Sequence, residues 1–233
     1  MGASPVRRPA DLDVVRESYD RVADNYVHMV ATTGLGDVRA HPWLRAAMDV
    51  FADAVGGLGP VLDVGCGPGA VTSYLVDRGV DARGVDLSPR MIEHARRLHP
   101  HCRFDVASAT ELAVADASLA GVMGWWSLFN LPRDVLPSVL SSFARALMPG
   151  GHLIVATHVG DDDLVRTEAY GGVAVHWTTH RWRPEQLAAM VERAGLRPVA
   201  ELRLPDPGPL GPGVVLVARQ DRSDGASPAP ARS

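Results

Sequence analysis

Cysteine is nearly absent from this chain of 233 residues, which holds only Cys66 and Cys102. Two thiols build no disulfide framework, and both read as reduced thiols of a cytoplasmic protein. Long apolar runs are missing as well. Arg7 and Arg8 are followed by no apolar signal core, and the longest nearly apolar stretch, 119–131, is too short to cross a bilayer, so no membrane partner is expected. Excess charge is also lacking: 23 basic and 27 acidic residues leave a net −4. The densest basic spots, Arg96-Arg97 and 181–183, read as solvated faces, so no nucleic-acid partner is expected. No Cys cluster or acidic pair stands at ligand spacing. His176 and His180, four positions apart on a strand, would sit roughly 13 Å from one another, and His99-Pro-His101 reads as a solvated loop, so no metal is expected.

What is present is an ordered alternation of strands and helices. A hydrophobic content of 46% at this length suits one domain with a full core. Residues 1–10 read as a disordered leader and 220–233 as a disordered polar tail. Between them, 11–57 are expected to form an N-terminal helical lid, and 58–219 an α/β core with a β insertion near 159–183. In a helix over 11–30, Val14, Val15, Tyr19, Val22 and Tyr26 share one face, and 32–37 break it. A second helix over 42–55 ends at Gly56-Gly57. Strand 60–64, helix 69–78, strand 82–86, helix 89–99, strands 102–106 and 120–126, helix 133–147 and strand 152–158 follow. A β-rich stretch, 173–182, leads into a helix over 184–194. Two last strands, near 198–204 and 213–219, have no helix between them. This order implies a parallel sheet closed by an antiparallel edge hairpin. No internal repeat is visible.

The most informative residues are VLDVGCGPGA at 61–70 and GVDLSPRM at 84–91. The first reads as a buried strand entering a turn that only glycine-like backbones can make, with a helix from about Pro68. Gly65, Gly67 and Gly69 let a ligand approach the backbone and donate N–H groups from a helix start, with Cys66 as a small residue in the turn. Asp86 lies 21 positions after Gly65. That spacing is one strand–helix–strand unit, so its carboxylate should sit beside the turn and accept the hydroxyls of a nucleoside. Gly65, Gly67 and Ala70 also satisfy the dinucleotide fingerprint. Against a nicotinamide or flavin stand Asp63 inside the strand, the immediate third glycine Gly69, and roughly 55 residues of helical pattern ahead of the strand.

These motifs resemble the class I S-adenosylmethionine-dependent methyltransferases, whose first motif is close to LDVGCGPG. The resemblance continues through GVDLSPRMIEHARR (84–97), FDVASATEL (104–112) and LPRDVLPSVLSSFARALMPGGHLIVATH (131–158), and covers roughly 12–219. It implies a Rossmann-like α/β fold, seven strands in the order 3-2-1-4-5-7-6 with an antiparallel last strand, helices on both faces and an N-terminal helical lid. The implied cofactor is S-adenosylmethionine, leaving as S-adenosylhomocysteine, with no metal.

Several residues take expected roles from that resemblance. Asp86 accepts the ribose diol. Asp63 either anchors the loop through its N–H groups or meets the cofactor's ammonium. Leu87 and Met91 flank adenine or are plain core. Ser108 stands where the family usually has an acid for the adenine amino group, leaving its hydroxyl or the backbone of Ala109 to take that part. Trp125 or Trp126 walls the methionine moiety, with its partner in the core by strand alternation. Tyr19-Asp20 and Tyr26 match a Y-D-x-x-A-x-x-Y pattern of lid helices, where hydroxyls bond the methionine carboxylate; two core tyrosines are the alternative. Ser127, Asn130, His158 and His176 are candidates for the methyl acceptor, with His158 as the candidate base. The stretch 124–132 has no Asn/Asp-Pro-Pro-aromatic motif, which counts against adenine, cytosine and glutamine acceptors, and Asn130 replaces a histidine of some small-molecule enzymes.

The expected function is methyl transfer to a small, mostly apolar molecule, by a monomer or homodimer. Resemblance to actinobacterial natural-product methyltransferases and high Ala, Arg, Gly and Pro content favour secondary metabolism. The alternatives are a cofactor-binding protein that catalyses a cyclisation or rearrangement or acts as a regulator, and a methyltransferase of protein or RNA.

Overall fold

The computed structural model describes residues 6–34, 38–205 and 211–221. In chain order the elements are α1 (Leu12–Thr33), α2 (Pro42–Val55), β1 (Val61–Val64), α3 (Ala70–Asp77), β2 (Ala82–Asp86), α4 (Pro89–Leu98), β3 (Arg103–Val106), β4 (Leu119–Trp125), α5 (Leu136–Ala146), β5 (Leu147–His158), β6 (Leu164–Ala169), β7 (Val173–Thr179), α6 (Pro184–Arg193), β8 (Leu196–Leu204) and β9 (Gly213–Gln220), with short 3-10 turns at Val38–Ala40 and Leu128–Asn130. Seven strands form one sheet in the order β3-β2-β1-β4-β5-β9-β8, and β6 pairs with β7 alone. Counting only the large sheet, with β8 and β9 as its sixth and seventh strands, the order is the expected 3-2-1-4-5-7-6. β9 runs antiparallel to both β5 and β8, the other pairings of that sheet are parallel, and β6 and β7 are antiparallel.

The central strands read as unbroken apolar runs because both faces of the sheet are covered. Every residue of β1 and β4 is buried. On one face α5 and α6 supply Leu136, Leu140, Phe143 and Leu187 to the core; on the other, α2 and α3 supply Met48, Phe51, Val55 and Leu75. The expected helical lid over 11–57 is thus divided: α2 joins the core through Met48, Phe51 and Val55, and only its first turn reaches the site. Helix α1 packs on neither face. Its Val15, Val22 and Ala23 join Met91 of α4 and Val175 and Trp177 of β7 in a small separate cluster.

Some expectations are corrected. Val14 is exposed: one position before Val15, it is turned about 100° around the helix from it. Pro68 lies in the turn, and α3 is capped by Gly69 at φ 84°, so the helix begins at Ala70. Residues 6–10 are held: Val6 packs on the core, Arg7 pairs with Asp134 at 2.5 Å, and Pro9 is buried. Gln220 ends β9, and Asp221 lies 3.5 Å from Arg197; residues 1–5 and 222–233, the rest of the expected leader and tail, fall outside the described residues.

The β6–β7 hairpin is tied down at its base and along one side. Arg133 bonds Asp163 through Nε and Nη2, reaches the Arg181 carbonyl at 2.8 Å, and lies 4.4 Å from the centre of the Trp182 ring. Burial resists ionisation of Asp163, but bonds from Arg133 and His180 outweigh it and hold its pKa below the ordinary value. Arg133→Ala should speed amide exchange across Leu164–Thr179 by about tenfold or more, the loss of one charged hydrogen bond. Hydrogen–deuterium exchange should show the amides of β1 and β4 unchanged.

Candidate active site

Beyond the carboxyl ends of β1, β2, β4 and β5 lies a cavity of about 630 Å³, roofed by α1. Its floor is the glycine turn. Gly65 takes φ 77° and Gly67 φ 53°, both in the left-handed region that glycine enters without strain. A Cβ on Gly65 would lie 2.2 Å from Cβ of Ser127, so no side chain fits there. Ser127 instead donates its hydroxyl to the Val64 carbonyl at 2.5 Å. Gly65 and Cys66 give their N–H groups to the Val85 carbonyl, at 2.7 and 3.0 Å. Gly69 stands apart from the cavity lining, because its Cα faces Phe104 and Ala95. The expected glycine cradle is thus shorter, running from Gly65 to Pro68.

Two carboxylates flank this floor. Asp86 ends β2 and accepts N–H groups of Gly67 (2.9 Å) and Ser88 (2.8 Å). Each oxygen keeps a further lone pair, enough for two hydroxyls of a ligand. Burial pushes its pKa up to about 6, opposed by those N–H bonds and assisted by nearby Asp20. Asp63 is almost wholly buried within β1, and burial pushes it to about 7 despite a 2.6 Å bond from the Thr72 hydroxyl. No loop N–H reaches it, which corrects the anchoring role; its Oδ1 has no partner among the described residues. A buried carboxylate short of a donor suits a cationic ligand group.

Near Asp86, Leu87, Met91, Ser108 and Ala109 line the cavity. The Ser108 hydroxyl is already engaged, 2.8 Å from Thr110 Oγ1 and accepting the Thr110 N–H. Pro9, Asp11, Leu12 and Val15 also line the cavity; Pro9 lies in the leader, which gives no periodic signal, and the other three belong to the start of the lid helix, where only the tyrosines carried a site pattern. At the other end both Trp125 and Trp126 face the cavity. Alternation fails because Trp126 has φ 47°, which turns it out of the strand; neither indole N–H has a partner among the described residues. His158, buried at the end of β5, packs edge-on to Phe129 at 4.9 Å. His41, just before α2, Trp43 and Leu44 of α2 and Leu204 of β8 complete the lining, and only folding brings them there.

Helix α1 closes the cavity. Tyr19 and Tyr26 both face it. Tyr26 lies over the turn, its ring 3.9 Å from where a Gly67 Cβ would be. Tyr19 stacks on Trp177 and donates to Asn130 Oδ1 at 2.7 Å. Asp20 accepts from the Ser88 hydroxyl (2.6 Å) and the Arg90 N–H (3.2 Å), fixing the helix to the start of α4. His176 does not reach the cavity; its side chain is on the exposed face of β7, which excludes it as an acceptor contact. Among the described residues, no three His, Cys, Asp or Glu are grouped to hold a metal ion, and no helix is long and apolar enough to cross a membrane.

A family profile described as "Methyltransferase domain" matches residues 61–151. Trans-aconitate 2-methyltransferase of Enterobacter sp. is 31% identical over 194 residues, covering 66% of this chain and 71% of that protein. This chain belongs to the class I S-adenosylmethionine-dependent methyltransferases. Methyltransferase GfsG of Streptomyces halstedii is 34% identical over 147 residues, covering 58% of the chain and 52% of that protein. The chain spans about half the length of the first curated relatives that it matches. Among solved structures, the 1,6-didemethyltoxoflavin-N1-methyltransferase of Burkholderia thailandensis superposes with a TM-score of 0.60 at 22% identity, covering 94% of each chain. That likeness is one of methyltransferase fold.

The buried acids set a pH dependence. A carboxyl whose pKa is higher folded than unfolded stabilises the fold below its unfolded value and loses that contribution as pH rises through the folded value. For Asp63 the window runs from about 4, the value of a free side chain, to about 7. Half-buried His99 and His152, whose pKa values are lowered mainly by desolvation, act in the opposite sense within it. The measurement is therefore a difference. In urea unfolding, the stability of Asp63→Asn relative to the unsubstituted protein should climb between pH 4 and 7 and then level off.

Proposed function

We propose that the chain binds S-adenosylmethionine in this cavity and transfers its methyl group to a small, uncharged, mostly apolar molecule of secondary metabolism, in the cytoplasm. The carrying observation is the Asp86 carboxylate, held beside the glycine turn by the Gly67 N–H with lone pairs to spare. The residues present fit the cofactor: a bare turn for its amino-acid end, Asp63 for its ammonium and Asp86 for its diol. The volume lies inside the usual range for ligand pockets, about 300–1,000 Å³.

The cofactor, when bound, supplies an activated sulfonium methyl, so alignment is the main task left to the protein. Trp125, Trp126 and Phe129 exclude water and give an apolar wall to the acceptor. His158 is the candidate to orient the acceptor or take its proton. The lining holds Asp11, Asp63 and Asp86 but, among the described residues, no arginine, and the chain has no lysine. An anion such as trans-aconitate, named for the Enterobacter relative, would find no fixed cation here. An uncharged acceptor suits the wall of Trp125, Trp126 and Phe129 better.

Calorimetry should find one site per chain for S-adenosylmethionine and S-adenosylhomocysteine, and none for NAD. Incubation of the first with phenols, amines and carboxylates should give methylated product and S-adenosylhomocysteine by mass spectrometry. Binding with no product from any acceptor would favour the non-methylating alternative, a cyclisation catalyst or a regulator. Separately, Asp86→Ala should weaken S-adenosylhomocysteine about tenfold or more, the loss of at least one hydrogen bond to a charged acceptor. Unchanged affinity in a folded variant puts the ribose elsewhere.

A further inference from the structure

The hydrogen bonds around Asn130 have one consistent direction. The Thr178 carbonyl can only accept, so the nitrogen of the Asn130 amide faces it, at 3.1 Å. That turns Oδ1 toward Tyr19, and an amide oxygen also only accepts. The Tyr19 proton is therefore committed to Asn130. Burial first, then Tyr170, Asp86 and Tyr26, raise the Tyr19 pKa well above that of an ordinary phenol, so the proton stays in place. The ring is held as well, stacked on Trp177 with centroids 4.6 Å apart and planes 4° from parallel. What Tyr19 offers the cavity is oxygen lone pairs, in a lining with three carboxylates and, among the described residues, no arginine.

We propose that Asn130 is a positioning residue that fixes the Tyr19 oxygen as a hydrogen-bond acceptor for the cationic end of S-adenosylmethionine, either its ammonium or its sulfonium methyl. The inference rests on the cofactor reading above. It reverses the role expected of Tyr19, because an oxygen whose proton points elsewhere repels the methionine carboxylate.

The test is a double-mutant cycle read by calorimetry. Tyr19→Phe, Asn130→Ala and the double variant are compared with the unsubstituted protein for S-adenosylmethionine and for S-adenosylhomocysteine, which keeps the ammonium but lacks the sulfonium. Each single substitution should weaken S-adenosylmethionine about tenfold, as for one charged hydrogen bond. The double variant should be no weaker than Tyr19→Phe alone, since the amide acts only through the phenol. Equal loss for both ligands assigns the contact to the ammonium, and loss confined to S-adenosylmethionine assigns it to the sulfonium methyl. Additive losses overturn the proposal, as does full affinity in Tyr19→Phe, which keeps the Trp177 stack. A lowered melting temperature in Asn130→Ala with unchanged affinity makes Asn130 a structural tie only, and also overturns it. If the unsubstituted protein binds neither ligand, the cofactor reading falls and this inference with it.

Discussion

The ends of β1 and β4 approach so closely that the serine after β4 sits where a side chain on the residue after β1 would be. The Ser127 hydroxyl caps the last carbonyl of β1, and the backbone at Gly65 must turn left-handed beneath it. From that turn the Cys66 N–H swings to Val85 and the Gly67 N–H to Asp86. The carboxylate beside the floor is thereby oriented before any ligand arrives. An alanine at position 65 would have to displace Ser127, and with it the entry to the tryptophan wall.

Helix α1 is a different kind of element. The sheet's two cores are large and continuous, whereas α1 shares a cluster of few buried side chains with α4 and β7. Its position depends as much on polar ties: Ser18 to His176, Tyr19 to Asn130, and Asp20 to Ser88. An element held in this way opens at lower free energy than the sheet below it. Such a roof can admit a cofactor without disturbing the floor.

The fold was legible in the sequence because its signals are local. Apolar strands alternate with amphipathic helices, and one strand–helix–strand spacing joins Gly65 to Asp86. The roofing role of α1 was legible too, from tyrosines seven residues apart. What escaped was set by distant contacts or by single backbone torsions. The partner of Asp63 is a threonine on the next helix, not the adjacent loop. Trp126 faces the cavity only because its φ is positive, which strand alternation does not anticipate. Pro9, His41 and Leu204 arrive from three distant segments, each without a motif.

The hairpin carries a hazard that its own two strands cannot remove. β6 covers one edge of β7, and a lone two-stranded sheet leaves the other edge as a template for any passing strand. Here that edge is plugged at alternate residues. Ser18 takes the N–H of His176, Asn130 bonds the carbonyl of Thr178, and the Phe129 carbonyl takes the N–H of His180. The plugs are thus supplied by the roof and by the turn beneath it. Chemistry and solubility are consequently tied together, for whenever α1 lifts, part of a bare β edge is offered to the next copy of the chain.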